Sequence, residues 1–189
     1  VAARRAKSRV RHLYKVQGLD TLLTLTYREN MQDPARAWAD LQAFARRMRS
    51  ALGGQFAYVA VPERQARGAI NWHLAVHRLP STMWAKGGVK VKAYSVIRAI
   101  WLRVLGQVNG EPTRGNIDVS RRRRTAQKSC AKIATYIAKY VAKGFADGCA
   151  KGANRFSASM GVVVPKPERR ELRADSLAEL CAAIYGDAW

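Results

Sequence analysis

The sequence predicts an α+β fold, an antiparallel sheet of ferredoxin-like, RRM-like βαββαβ order with extra helices attached. Three short apolar runs rich in strand-forming residues, TLLTLTY (21–27), FAYVAV (56–61) and AINWHLAVH (69–77), point to it first. The last two are separated by the turn-like ERQARG, which marks a hairpin. Two longer runs of helical periodicity and a further strand-length segment, GNIDVS (115–120), complete the order. At 189 residues, 48% of them hydrophobic, one domain with a sizeable core suffices.

Residues 1–20 hold Arg4, Arg5, Lys7, Arg9 and Arg11 and read as a basic arm. TLLTLTY follows as a buried strand. Asp33 and Pro34 then supply an N-cap and a first-turn proline; Trp38, Leu41, Ala45, Met48 and Leu52 share one helical face, Arg46, Arg47 and Arg49 the other, and Gly53-Gly54 ends the helix. FAYVAV should stop at Pro62, which cannot donate to a ladder. A helix over 91–105 turns Tyr94, Ile97, Trp101 and Val104 or Leu105 inward and closes at Gly106, and a long helix over 125–143 closes at Gly144. The core therefore spans 21–145, and 146–189 form a C-terminal extension. In it VVVPKPERR is an extended link, and a terminal helix starts from a capping box at Ser176 and Glu179 with Leu177, Leu180 and Ile184 on one face, which suits the start of a further region.

With 34 Lys and Arg against 13 Asp and Glu, the net charge of +21 calls for a polyanionic partner. Nucleic acid leads, although a ribosomal-type or membrane-surface protein fits the charge equally. No apolar run approaches the ~18 residues of a membrane span, and no signal-peptide core follows the basic start, so a soluble, unexported chain is expected. Cys130, Cys149 and Cys181 lack C-x-x-C spacing, which argues against a disulfide framework or a zinc site and for a reducing cytosol.

Strand alternation sends Ile70, Trp72, Leu74 and Val76 to the helices, and Ala69, Asn71, His73 and Ala75 to the sheet's open face. The β-carbons of Asn71 and His73 are then ~7 Å apart, close enough to share an ion. Glu63, just beyond the preceding strand, can add a carboxylate oxygen, giving a mixed site that suits Mn²⁺ or Mg²⁺ better than zinc. Taken alone, the pair is equally a hydrogen-bonded polar patch on a wet face.

In KIATYIAKYVAK (132–143), Ile133, Ala134, Ile137, Ala138 and Val141 form a buried stripe. Tyr136, Lys139, Tyr140 and Lys143 share the opposite side, with the tyrosine β-carbons about 5–6 Å apart. A phenol titrates near ~10, so a tyrosine nucleophile needs cations such as Lys139, Lys143 or a metal beside it. The alternative is a plain amphipathic helix with tyrosines at the core margin. Arg121, Arg122, Arg123 and Arg124 precede this helix, where the dipole makes four arginines unfavourable unless phosphates lie nearby. Arg64 and Arg67 in the hairpin turn can touch a strand beside the metal, and Trp84, flanked by Lys86, Lys90 and Lys92, and Tyr27 are the candidates for stacking on bases.

Together, TLTY (24–27), NWHLAV (71–76) and YIAKYVAK (136–143) resemble the motifs of the HUH single-strand endonucleases, specifically the two-tyrosine rolling-circle replication initiators of bacteriophages and plasmids. VPERQARGAI (61–70) looks like the phage-type subgroup, the resemblance covers 21–145, and Tyr-x-x-Lys-Tyr is its most specific part. It implies that His73, Glu63 and Asn71 hold a divalent Mn²⁺ or Mg²⁺ that polarises the scissile phosphate, that Tyr136 or Tyr140 attacks it, and that Lys139 neutralises the developing charge. A 5′-phosphotyrosyl adduct and a primer 3′-OH would result. Lys143, Arg64, Arg67 and 121–124 would face DNA. Implied partners are single-stranded or origin DNA and a host helicase and polymerase in the bacterial cytoplasm, with no small-molecule cofactor and no membrane.

Asn71 departs from the family, which has histidine there; an amide oxygen is the weaker ligand. A natural variant that still binds metal, an introduced change that slows cleavage, and a chain that only binds all fit. The competing class is a noncatalytic nucleic-acid-binding module of ferredoxin-like fold, but such modules read bases with aromatics on the sheet face where this chain has Asn71 and His73. An HUH relaxase or transposase would share the chemistry, and the paired tyrosines favour replication initiation.

Overall fold

The computed structural model describes residues 2–77, 79–85, 87–108, 111–112, 114–121, 130–146, 155–160 and 173–186. Its elements are α1 (Ala2–Gln17), β1 (Thr21–Tyr27), α2 (Pro34–Ala51), β2 (Tyr58–Arg64), β3 (Ile70–Val76), β4 (Thr82–Trp84), β5 (Lys90–Lys92), α3 (Ala93–Leu105), β6 (Gln107–Val108), β7 (Glu111–Pro112), β8 (Gly115–Arg121), α4 (Cys130–Ala146), β9 (Ser157–Ala158) and α5 (Leu177–Gly186). The main sheet runs β8-β1-β3-β2-β9 with every neighbour antiparallel. β1, α2, β2, β3, α3 and β8 follow the expected βαββαβ order.

α2 starts where the sequence says it should, because the Asp33 carboxylate accepts from the amides of Ala35 and Arg36 and Pro34 occupies the first turn. The buried face of α2, with Leu41, Phe44 and Met48, packs with Ile97 and Trp101 of α3 against Leu23, Leu25, Trp72 and Leu74 of the sheet. Two indole hydrogen bonds pin these layers: Trp72 Nε1 donates to the Ala37 carbonyl at 3.2 Å, and Trp101 Nε1 to the Thr26 carbonyl at 3.0 Å.

The other face of the sheet is covered rather than open, which corrects the expectation from strand alternation. α1 and α4 pack on it, burying Val10, Leu13 and Tyr14 with Val59, Val61, Ala75, Ile137 and Val141. The reason is the apolar content of that face: left in water, these valines would forgo about 1.5–3 kcal/mol of burial free energy per side chain. β3, central and covered on both sides, is buried along its whole length. Residues 2–17, expected as a basic arm, are thus a helix whose Val10, Leu13 and Tyr14 form one inward stripe between the cations.

Two stop signals are also overridden. β2 continues through Pro62 to Arg64, so Glu63 lies within the strand. This is possible because β9 pairs only with Val59 and Ala60; at Pro62 the outer side of β2 is an edge where no amide is needed. α4 runs through Gly144 to Ala146, a helix-interior glycine that costs roughly 1 kcal/mol against alanine. The expected helical residues 125–129 lie outside the described residues. In α5 the Ser176 hydroxyl accepts from the Glu179 amide as expected, while Glu179 reaches back to the Asp175 amide rather than that of Ser176, and Leu177 and Ile184 are exposed. No helix of the described residues is long and apolar enough to cross a membrane.

Candidate active site

Antiparallel register assembles the site. β3 sets Asn71 opposite Glu63 of β2 and His73 opposite Thr24 of β1, so all four share one face of the sheet. His73 Nε2 lies 2.7 Å from Glu63 Oε2, and His73 Nδ1 lies 3.2 Å from Thr24 Oγ1. An ionised carboxylate can only accept, so with the proton on Nε2 the ring donates to Glu63 and Nδ1 accepts from the Thr24 hydroxyl. Thr24 enters the sequence reading only within TLTY; its alternation with Thr26 along β1 is the signal that could have singled it out.

The tyrosine helix closes over this face. Ile137 and Val141 anchor α4 in the second core, which turns Tyr136 and Tyr140 onto His73. The Tyr140 ring stacks on the imidazole with centroids 4.3 Å apart, and the Tyr136 ring meets it edge-on at 5.8 Å. The Tyr140 hydroxyl donates to the Tyr136 oxygen at 2.8 Å, and the Lys143 ammonium reaches the second Glu63 oxygen at 3.2 Å. One turn of helix after another therefore delivers Tyr136, Tyr140 and Lys143 to the His73–Glu63 pair.

Burial opposes ionisation of Glu63, but hydrogen bonds from His73 and Lys143, and their charges, outweigh it and hold the carboxyl below its ordinary value. Tyr140 moves the other way. Burial, its hydrogen bond to Tyr136 and the negative charge of Glu63 push its phenol well above the ordinary value. The two tyrosines are therefore not equivalent: Tyr136 is 37% exposed and accepts the hydrogen bond, whereas Tyr140 donates it and lies under the imidazole.

Of the other sequence candidates, Lys139 is exposed on α4 and Lys143, expected to face DNA, engages Glu63. Arg64 and Arg67 are exposed at the hairpin, with the Arg67 guanidinium donating to Gln65. Arg121 ends β8; Arg122, Arg123 and Arg124 lie outside the described residues, as does Lys86. Trp84 is 71% exposed on the small β4–β5 hairpin, but Tyr27 is buried edge-on against Trp101 and cannot stack on a base. Asn71 is nearly buried at 7% exposure, and among the described residues no group hydrogen bonds to its amide.

The donors suited to a hard divalent cation are thus one imidazole nitrogen, one carboxylate and one amide oxygen; among the described residues no three His, Cys, Asp or Glu come together. A family model, that of the replication-associated proteins of ORF2 type, matches residues 20–145, two-thirds of the chain. The chain belongs to this replication-associated protein family. The matched segment of this replication-associated protein contains every strand and tyrosine of the site, from Thr24 to Lys143. No curated protein and no solved structure matches the chain.

Proposed function

We propose that this chain nicks and rejoins single-stranded DNA at an origin, initiating rolling-circle replication of a phage or plasmid. The observation that carries the proposal is the convergence of two tyrosine hydroxyls, 2.8 Å apart, on an imidazole–carboxylate pair. A tyrosyl oxygen attacks phosphorus as its proton is lost. The bond from phosphorus to the 3′ oxygen breaks, that oxygen takes up a proton as a free 3′-OH, and the 5′ phosphate stays on tyrosine. The phosphodiester is exchanged for a phosphotyrosyl ester, so rejoining needs no nucleotide cofactor. Tyr136 suits the first attack because it is the exposed acceptor of the pair, and Tyr140 suits the second, once the first is esterified.

His73, Glu63 and Asn71 would hold a divalent Mn²⁺ or Mg²⁺. The 2.7 Å between His73 Nε2 and Glu63 Oε2 is near the ~3 Å that neighbouring ligands of an octahedral ion keep, and the unengaged Asn71 amide supplies a third donor. Such an ion, when bound, contributes positive charge to a non-bridging phosphate oxygen. Lys143 keeps Glu63 ionised and aimed, and Lys139 provides a mobile cation beside the tyrosines. Coverage of the sheet face by α1 and α4 speaks against a base-reading module, which needs that face exposed.

The test is incubation with single-stranded origin-type DNA and Mn²⁺, followed by a denaturing gel for a protein-linked fragment. An adduct from this chain or its Asn71→His variant is expected; none from either, with both proteins folded, overturns the proposal.

A further inference from the structure

Three arginines far apart in sequence, Arg28, Arg98 and Arg114, line one cavity of about 750 Å³ where β1 and β8 end beside α3. Thr26, Tyr27, Leu102, Gly106, Gly115 and Asn116 complete its wall, and none of the lining residues is acidic. All three arginines are exposed, and among the described residues none has a carboxylate partner. Three like charges gathered around one concavity repel unless an anion sits among them.

The cavity is held by rigid backbone rather than by loose side chains. The Arg28 amide donates to the Arg114 carbonyl at 3.0 Å, fixing the two strand ends together. α3 is brought against them at Gly115, where a β-carbon would stand 2.5 Å from Leu105 Cδ1, 2.6 Å from the Thr26 carbonyl oxygen and 2.9 Å from Trp101 Nε1. Only glycine allows that approach, and the approach is what sets Arg98 beside the other two.

The cavity also continues the site described above. Thr26 and Thr24 lie on the same side of β1, two residues or ~7 Å apart, and Asn116 faces that side opposite Thr26. A strand whose scissile phosphate lies at His73 and Tyr136 can therefore cross Thr26 and Asn116 to reach the arginines. We infer that Arg28, Arg98 and Arg114 form a phosphate cradle for the single strand flanking the scissile phosphate. The identity of the anion as DNA rests on the nicking proposal; the geometry of the cradle does not.

The experiment titrates the full chain with a fluorescent single-stranded oligonucleotide at several salt concentrations, on a Tyr136→Phe, Tyr140→Phe background so that cleavage cannot interfere. Arg28→Gln, Arg98→Gln and Arg114→Gln together should weaken binding on the order of tenfold or more and reduce the log–log salt slope by about 2, as for three lost phosphate contacts on a single strand. Arg46→Gln, Arg47→Gln and Arg49→Gln, the same charge change on the outer face of α2, should alter binding less than about twofold. Equal loss in the two triple variants, or none in the first, overturns the cradle. Displacement of the oligonucleotide by inorganic phosphate better than by chloride of equal ionic strength would make it a free-anion site and overturn it as well. If the parent chain forms no adduct with DNA yet the first triple variant alone loses binding, the nicking proposal falls and the cradle stands.

Discussion

Glu63→Gln removes one charge from the centre of the site while keeping its shape. Its carboxylate accepts from His73, whose side chain is only 8% exposed, and from Lys143, which is 42% exposed. A hydrogen bond to a charged group contributes about 1.5–3 kcal/mol. The Lys143 pair, more than a third exposed, is screened to about 0.2–1 kcal/mol. Glutamine retains one acceptor oxygen, so the variant should lose about 1–3 kcal/mol, which at a urea slope of about 1–3 kcal/mol per molar moves the midpoint down by roughly 1 M. Lys143→Gln should cost less than Glu63→Gln.

The pH dependence has a definite sign. The Glu63 carboxyl titrates lower in the folded chain than in the unfolded one, so its contribution is complete above the unfolded carboxylate range near ~4.3 and is lost as pH falls through the lower folded value. Urea titrations of parent and variant should therefore differ at pH 7 and converge below about pH 4. Equal midpoints at pH 7, or a gap that widens in acid, would refute this account of the Glu63 contacts.

Tyr136→Phe should slow the first protein–DNA adduct by at least about tenfold and more than Tyr140→Phe does, with the double variant silent on a denaturing gel; a larger effect of Tyr140→Phe would reverse the assigned order. Thr24→Val, which removes the hydroxyl from His73 Nδ1, should weaken Mn²⁺ binding by roughly 10–100-fold in a calorimetric titration, and unchanged affinity would show that the hydroxyl does not orient the ring. Gly115→Ala should destabilise the chain by about 1–3 kcal/mol in thermal or urea unfolding, because its β-carbon would meet the Thr26 backbone carbonyl; a neutral change would mean that α3 can back away.

The parts of the fold legible in the sequence are those where one local rule acts alone. Asp33-Pro34 opens α2, and alternation in β3 correctly separates Trp72 from His73, because caps and strand parity are set within a few residues. The misread parts are those where a distant neighbour decides. Pro62 stays in β2 because β9, almost a hundred residues later, pairs with only two of its residues. α1 hides its apolar stripe among arginines, and the stripe is meaningful only once α4 and the far sheet face exist to receive it. At the site, the tyrosine pair and His73 are visible in the sequence as chemistry, but the ion pair of Lys143 with Glu63 and the grouping of Arg28, Arg98 and Arg114 are products of register and packing.

The contact of α1 with α4 separates what is shared by descent from what folds cooperatively. The family match begins at residue 20, yet the helix bearing both tyrosines rests on Val10, Leu13 and Tyr14, which lie before it. Excising residues 20–145 would uncover the underside of α4 and the valines of β2 at once. Tyr136 and Tyr140 would then be carried by a helix without its buttress, so the smallest working nicking module extends back to the first turn of α1.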